Sequence, residues 1–383
     1  MNGRRLWFVG IGGAGLSAYA QLARAWGAEI GGWDRVRTPY LGPLAGVPIE
    51  ITPEPVVPDG WEAVVSSAYP DVPGLRRREL LRELVSARPA IAVAGSHGKG
   101  TTAAMIAFVL RETGRDPAWL IGAPVPQLGS NAGVGAGRLV VEADESDRTV
   151  FSLEPEIAVL TNLELDHHAE FASAAELEAE FERWLAGVPH VVRDAPPYDG
   201  ELTLPGDHNR RNAGAALTAL ELAGVGREEA APVLARFAGT GRRFEVHELP
   251  GGRTLVDDYG HHPTEVAATI AAARERFPGR TVRVLFQPHL YSRTRHLAAE
   301  FATALAAADD VTVTDVYPAR ERPLPGVTGK LIVDALSDRG VLAGWTPAVE
   351  QGAERLRRRA KDGDVLLVLG AGDVDRAVGM LEP

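Results

Sequence analysis

Short apolar runs that end in glycine recur along the chain and predict its fold. Three segments share one plan: an apolar strand, a glycine turn and a helix with apolar residues at helical spacing. They contain the stretches RLWFVGIGG, AIAVAGSHGKG, and TVRVLFQPH together with DVLLVLGAGD. The runs are continuously apolar rather than alternating, which is typical of parallel strands buried on both faces. The pattern therefore predicts an α/β fold in which helices pack outside mostly parallel sheets.

The length of 383 residues predicts two or three domains, because a single core rarely grows that large. A proline precedes the second core strand in SARPAIAV, and glycine with charge separates a helix-rich stretch from new strands in FAGTGRRFEV. These breaks place domain boundaries near residues 88 and 243.

The composition excludes several classes of protein. With 45% hydrophobic and 24% charged residues, the chain is typical of a globular protein, and its net charge of −11 argues against an extended nucleic-acid surface. The N-terminal apolar run is short and meets glycines at once, so we expect a first strand there rather than a leader or a membrane span. Because cysteine is absent, disulfides and thiolate metal sites are excluded, and we expect a cytoplasmic protein. The arginine-rich stretches LRRRELLREL and ERLRRRAK carry leucine at helical spacing, which predicts solvated faces of amphipathic helices.

A glycine turn follows the first predicted strand. Gly10, Gly12 and Gly15 form G-x-G-x-x-G, and Asp34 ends the next strand. This spacing is typical of a unit that binds a diphosphate at a helix N-terminus and a ribose through the carboxylate. A dinucleotide, as in a nicotinamide-dependent oxidoreductase, a nucleotide-sugar, and a turn used only for packing all remain open.

A second glycine loop, VAGSHGKGTT, surrounds Lys99 and leads into a helix. It predicts a phosphate loop: main-chain amides hold a polyphosphate, the ammonium reaches its terminal groups, and a threonine hydroxyl binds Mg²⁺. Glycine at position 100 replaces the usual Ser or Thr, so the hydroxyl would come from Thr101 or Thr102. The chain has three lysines against 37 arginines, which argues against a chance surface lysine here.

Carboxylates follow the next two predicted strands. The run EADESD contains Glu142, Asp144, Glu145 and Asp147, and the run NLELDHH contains Asn162, Asp166, His167 and His168. Acidic groups past a strand end beside a phosphate loop indicate Mg²⁺ sites, and a solvated acidic loop is the alternative. Zinc is disfavoured because no cysteine is present.

Polar residues also concentrate near two strand ends in the C-terminal third, in VDDYGHHPTE and FQPHLYSRTR. Arg293 and Arg295 are suited to clamp a carboxylate or a phosphate. The alternative is a set of helix-start residues and surface ion pairs.

Together these motifs resemble the Mur ligase family. The matching segments are GIGGAGLSAYA, SSA, GSHGKGTT, EADESD, TNLELDHH, LPGDHNRRNAGAAL, GRRFE, DDYGHHPTE, FQPHLYSRTR, DVYPARE and GAGD, in the family's order and across nearly the whole chain. The resemblance implies three domains: an N-terminal Rossmann-like domain for a UDP-sugar (1–88), a central phosphate-loop ATPase domain (89–242) and a C-terminal Rossmann-like domain (243–383).

The resemblance also implies a role for each matching residue. The UDP-sugar site would contain Gly12, Gly13, Gly15, Asp34, Ser66, Ser67 and Asn131. The ATP site would contain Gly95, Ser96, Gly98, Lys99, Gly100, Thr101, Thr102, Asn209, Asn212, Arg243 and Asp258. Mg²⁺ would be held by Thr101, Glu142 and His167, and the amino acid by His262, His289 and Arg293. The catalytic set would be Lys99, Glu142, His167, His262 and Arg293.

The implied reaction joins L-alanine to the lactyl carboxylate of UDP-N-acetylmuramate through an acyl phosphate, with ATP and Mg²⁺, in peptidoglycan precursor synthesis. The implied partners are these small molecules, with neither nucleic acid nor membrane, and the protein would be a monomer or a homodimer. Phosphorylation supplies the leaving group that a carboxylate lacks, and catalysis rests on charge neutralisation and positioning.

Four features depart from the family pattern. The chain is short between DHHAEF and LPGDHN, Leu290 stands at a usual Arg position, NAGVG replaces a segment with Arg, and Gly100 replaces Thr. They leave two alternatives open: a ligase of this family with another amino acid or a peptide as substrate, and a weakened, UDP-sugar-binding pseudo-ligase.

Overall fold

The computed structural model describes residues 1–145, 147–165, 170–319 and 321–382. In this part of the chain the strands form three sheets. Contacts group the chain into two compact units. The first unit consists of Met1–Glu164, Glu170–Gly200 and Asn212–Phe237, and the second chiefly of Glu201–Arg211 and Ala238–Pro383. The first two sheets lie in the first unit and the third sheet in the second.

The first sheet is parallel throughout. Its strands are β1 (Arg5–Val9), β2 (Glu29–Asp34), β3 (Ile49–Ile51), β4 (Glu62–Val65) and β5 (Leu75–Arg76), in the order β3-β2-β1-β4-β5. Helix α1 (Ala14–Ala25) follows the glycine turn after β1, and α2 (Arg77–Ser86) follows β5. Trp7, Val9, Trp33 and Val65 form a buried cluster in this sheet.

The second sheet carries the phosphate loop on a central strand. Its strands are β6 (Ala90–Ala94), β7 (Ala118–Leu120), β8 (Ala132–Val134), β9 (Leu139–Glu142), β10 (Ile157–Leu160) and β11 (His190–Val192), in the order β11-β10-β6-β9-β7-β8. The pairs are parallel except that of β8 with β7. The helices are α3 (Lys99–Glu112), α4 (Ala174–Leu185), α5 (Asp207–Leu222) and α6 (Arg227–Leu234). Every residue of α3 from Thr101 to Leu110 is buried, which makes α3 the central helix of this domain.

The third sheet repeats this plan with its own core. Its strands are β12 (Glu245–Leu249), β13 (Arg253–Asp258), β14 (Val282–Phe286), β15 (Asp310–Val313), β16 (Ala343–Trp345) and β17 (Val365–Leu369), in the order β12-β13-β17-β14-β15-β16. Only the β12–β13 pair of these described strands is antiparallel. The helices are α7 (Pro263–Arg276), α8 (Tyr291–Leu305), α9 (Lys330–Ser337), α10 (Val349–Arg359) and α11 (Arg376–Leu381). Short 3-10 helices elsewhere in the chain cover Pro39–Leu44, Pro126–Leu128, Thr149–Ser152, Pro250–Gly252 and Asp373–Asp375.

The predicted α/β class is confirmed. Strands β6, β14 and β17 are buried at every position, as their continuous apolar runs predict. The architecture has three domains, one around each sheet, and the boundaries at 88 and 242 stay predictions. None of the described helices is both long and apolar enough to cross a membrane.

Candidate active site

The phosphate loop connects β6 to α3, and its backbone requires glycine at two positions. Gly95 has φ of +121° and Gly98 has φ of +80°, in the region that side chains disfavour. A Cβ at Gly95 would lie 2.4 Å from Thr161 Oγ1, and one at Gly98 would lie 2.3 Å from Asn212 Oδ1. The predicted ATP-site residues Gly98 and Asn212 are therefore in direct contact.

Residues after β10 hold the loop in place. Ser96 N donates to the Asn162 carbonyl at 3.1 Å, and His97 N donates to Asn162 Oδ1 at 2.9 Å, while Asn162 Nδ2 donates to the His97 carbonyl at 2.8 Å. Ser96 Oγ donates to the Glu164 carbonyl at 2.8 Å. Because β6 and β10 are parallel neighbours, the segments that follow them lie side by side and are joined by these hydrogen bonds.

Lys99 is the first residue of α3, and its ammonium lies inside the loop. Nζ donates to the Gly95 carbonyl at 2.7 Å and lies 3.0 Å from Glu145 Oε2. Burial acts to lower the pKa of Lys99, but the charges of Glu145, Asp144 and Glu142 outweigh it, so the pKa is raised. The loop lysine is thus protonated, as phosphate binding needs.

Glu142 ends β9 and points at the first turn of α3. Its Oε2 accepts a hydrogen bond from Gly122 N at 2.6 Å, and a Cβ at Gly100 would lie 3.1 Å from the same oxygen. Thr101 and Thr102 are buried, and within the described part of the chain Thr102 Oγ1 has no hydrogen-bond partner. Carboxylate and hydroxyl oxygens are the donors that Mg²⁺ prefers, so this set fits that ion. The predicted ligand His167 lies outside the described residues.

The glycine turn of the first sheet is braced by Asp34. Gly12 N donates to Asp34 Oδ2 at 2.7 Å, and Thr38 Oγ1 donates to the Gly12 carbonyl at 2.6 Å. Asp34 is buried, and its Oδ1 accepts from the next amide in the chain. Gly13 caps α1, which begins one residue later. The predicted sugar-site carboxylate therefore fixes the shape of the turn.

Other predicted sugar-site residues lie at strand ends of the same unit. Ser66 and Ser67 follow β4, where Ser66 N donates to the Val9 carbonyl at 3.0 Å. Asn131 precedes β8, and its carbonyl accepts from Ile121 N at 2.9 Å.

Arg77 contacts the glycine-turn helix, although the sequence pattern predicts it in a solvated face. Its Nε donates to the hydroxyl of Tyr19, a buried residue of α1, at 3.1 Å. A Cβ at Gly15 would lie 3.7 Å from the guanidinium carbon. The rest of α2 follows the prediction, since Leu80 and Leu84 are buried. Helical spacing predicts on which face of a helix an arginine lies. It does not predict which residues of other elements contact that face.

In the second unit, Asp258 ends β13 and ties several segments together. Its oxygens accept from Phe244 N and Gly260 N, both at 2.8 Å, and from Thr269 Oγ1 at 3.1 Å. Burial raises the pKa of Asp258, and the charge of Arg243 opposes the rise. The structure thus places Arg243 and Asp258, both predicted ATP-site residues, close to each other.

His262 caps the N-terminus of α7 and is buried. Its Nδ1 accepts from Thr264 N at 3.4 Å, and Glu265 accepts from the His262 amide at 3.3 Å. An accepting Nδ1 means that the neutral ring carries its proton on Nε2. Asn209, in α5, is also buried in this unit, with Nδ2 donating to the Pro205 carbonyl at 2.8 Å.

His289 and Arg293 meet at the start of α8. Arg293 is 2% exposed, and its Nη1 lies 3.3 Å from both the carbonyl and Nδ1 of His289. The His289 ring stacks on Tyr317 with centroids 5.7 Å apart, and it meets His261 at the same distance, edge to face. Because β13, β17 and β14 are parallel neighbours, their ends bring these side chains to one edge of the third sheet.

A phosphate loop on one parallel sheet, a glycine turn on another and a histidine–arginine cluster on a third define a multidomain nucleotide-binding α/β protein. Two family models match the chain: Mur ligase middle domain over residues 93–196, and Mur ligase, glutamate ligase domain over residues 242–372. The chain belongs to the Mur ligase family. This membership replaces the oxidoreductase interpretation of the glycine turn.

Full-length relatives agree with the family models. The UDP-N-acetylmuramate–L-alanine ligases of Renibacterium salmoninarum and Chloroflexus aggregans are each 38% identical to this chain over 97% of its length, covering 94% and 96% of their own lengths. The crystal structure of UDP-N-acetylmuramate-alanine ligase MurC from Thermotoga maritima superposes with a TM-score of 0.79 at 26% identity, covering 98% of both chains.

Proposed function

We propose that this chain is an ATP-dependent amide ligase that joins L-alanine to the lactyl carboxylate of UDP-N-acetylmuramate. The observation that carries the proposal is the shared name of relatives that match nearly its whole length. The phosphate loop supports it, because a helix N-terminus and a protonated lysine, as at the start of α3, are groups that bind phosphate.

The proposed chemistry has two steps. A lactyl carboxylate oxygen attacks the γ-phosphorus of ATP, and ADP leaves with the electron pair of the broken bond. The amine of L-alanine then attacks the carbonyl carbon of the acyl phosphate, which expels inorganic phosphate, and the nitrogen loses a proton to leave the amide. Both steps gather negative charge at the phosphates, so positioned cations supply much of the catalysis.

We assign the charge neutralisation to Lys99 and to the oxygens that hold Mg²⁺. Lys99 meets the β- and γ-phosphates, while Glu142 and Thr101 hold the ion. When bound, Mg²⁺ would act as a Lewis acid that withdraws charge from the phosphates. Arg293 and His289 are assigned to the carboxylate of the amino acid, because a guanidinium binds a carboxylate in a planar, bidentate manner.

His262 is assigned to the proton that the amine loses. Histidine changes charge near neutral pH, which suits this task. Since its Nδ1 accepts from Thr264 N in the structure, uptake of a proton at that nitrogen requires the ring to leave the cap of α7.

Phosphate release from ATP tests the proposal. The full chain with Mg²⁺, ATP and UDP-N-acetylmuramate is expected to release phosphate on addition of L-alanine, and more slowly or not at all with glycine or L-serine. Lys99→Ala is expected to abolish release, while Lys330→Ala, at an exposed lysine, leaves it unchanged. No release with any of the three amino acids would contradict the ligase assignment, and full activity of Lys99→Ala would contradict the phosphate-loop assignment.

A further inference from the structure

The ammonium of Lys99 already has a complete set of partners within the protein. Nζ lies 2.7 Å from the Gly95 carbonyl, 3.4 Å from the Ser96 carbonyl, and 3.0 and 3.2 Å from the two oxygens of Glu145. The Lys99 side chain is 12% exposed and that of Glu145 is 3% exposed. The cation of the phosphate loop is therefore paired with an internal anion and shielded from water.

An ammonium has three hydrogen atoms to donate, and these partners use them. A phosphate oxygen can bind Lys99 only by replacing one of them. The two carbonyls belong to a loop that Asn162 fixes through Ser96 and His97. Glu145 instead extends from the segment after β9, so its carboxylate is the partner that can be exchanged.

A carboxylate on the lysine resembles a phosphate in charge and in hydrogen-bonding capacity. Buried charges are stable only when they are paired, and a lone ammonium in this loop would be costly. Beside a bound polyphosphate the same carboxylate would be repelled, because two anions would share one cation. The loop without a nucleotide therefore needs Glu145 beside Lys99, whereas the loop with a bound polyphosphate disfavours it there.

We propose that Glu145 is a positioning residue that substitutes for phosphate in the nucleotide-free loop and releases Lys99 when the terminal phosphates of ATP bind. The proposal rests on the proposed function, in which Lys99 contacts those phosphates. Glu145 keeps the ammonium charged and aimed into the loop before ATP arrives. The affinity for ATP then reflects the difference between two anions that compete for one lysine.

Glu145→Gln tests the exchange, because glutamine keeps the size of the side chain and removes its charge. We expect the unliganded variant to melt at a lower temperature than the wild type and to bind Mg·ATP about tenfold more tightly in calorimetry on the full chain. The KM for ATP falls accordingly, while the KM for UDP-N-acetylmuramate is unchanged. Glu154→Gln is the matched control in the same unit, since Glu154 is 70% exposed in its pair with Arg82, and it is expected to match the wild type in each measurement.

A merely structural Glu145 would lower the melting temperature and leave the affinity for Mg·ATP unchanged or weaker, and that result overturns the proposal. Glu145→Asp retains the charge with a shorter reach, so we expect it to fold and to bind Mg·ATP more tightly than the wild type by a smaller factor. Should Glu145→Gln fail to fold, wild-type or weaker affinity in Glu145→Asp overturns the proposal. A wild type that does not bind Mg·ATP would instead contradict the proposed function.

Discussion

Asp257 offers a direct test of the energetics of the third sheet. It lies on β13 and is 5% exposed, with Oδ2 3.2 Å from Arg242 Nε. Within the described residues its Oδ1 is buried without a hydrogen-bond partner. Burial raises the pKa of Asp257 from 3.8 to about 6, although the charge of Arg242 acts in the opposite direction. The single ion pair therefore does not compensate for the loss of water around the carboxylate.

The shift sets both the size and the sign of the effect. A shift of about two pKa units corresponds to about 3 kcal/mol. The unfolded carboxyl ionises near pH 4 and the folded one near pH 6. Protonated Asp257 therefore does not destabilise the fold below pH 4. The free energy of unfolding falls as the pH rises from 4 to 6, and above pH 6 the ionised carboxylate lowers it by about 3 kcal/mol.

Asp257→Asn removes the ionisation and keeps the shape of the side chain. Urea denaturation of the full chain, followed through the second unit, is expected to show a gain of about 3 kcal/mol at pH 8 that falls below about 1 kcal/mol at pH 4. Asp334→Asn is the matched control, because Asp334 forms an exposed pair with Lys330. A loss of stability at pH 8, or a gain that does not depend on pH, would show that ionised Asp257 does not destabilise the fold.

Two further predictions concern residues with positive φ. Leu290 has φ of 70° and ψ of 132°, a strained conformation for a branched side chain, so Leu290→Gly is expected to raise the free energy of unfolding by about 1 kcal/mol. Leu290→Ala keeps the strain, and equal values for the two variants would disprove it. Gly98→Ala would place its Cβ 2.3 Å from Asn212 Oδ1, whereas Gly114→Ala meets open space at a similar φ. Urea denaturation should show a loss of about 1 kcal/mol for Gly114→Ala and at least twice that for Gly98→Ala, and equal losses would mean that Asn212 moves away at no cost.

Much of the fold could be predicted because its signals are local. A continuous apolar run such as AIAVA is typical of a strand in a parallel sheet whose two faces are covered, and β6 is buried at every position. The antiparallel partners β8 and β12 could not be predicted in the same way. Each is an edge strand with exposed positions, so its composition does not distinguish it from a loop.

The sequence predicts which residue types lie near the candidate site and which strands they follow, but it does not predict their individual partners. The sequence indicates that carboxylates follow β9, since any acidic group there lies near the phosphate loop. It does not indicate that Glu145 pairs with Lys99 while Glu142 turns toward Gly122, because neighbouring side chains in an irregular segment point in directions that only the folded backbone fixes. The contact of Arg77 with Tyr19 is hidden for the same reason, as it joins residues 58 positions apart.

Gly100 shows how a departure from the family pattern acquires a physical meaning. Glu142 Oε2 is enclosed by two glycines: a Cβ would lie 3.1 Å away at Gly100 and 2.9 Å away at Gly122, whose amide donates to it at 2.6 Å. A threonine at position 100 would require this carboxylate to shift by a few tenths of an ångström, which would alter its hydrogen bond to Gly122. Glycine at this position thus gives room for Glu142 on the side of α3. The absence of a threonine side chain at position 100 therefore matches the position of the Glu142 carboxylate. It is not by itself evidence that the phosphate loop has lost its function.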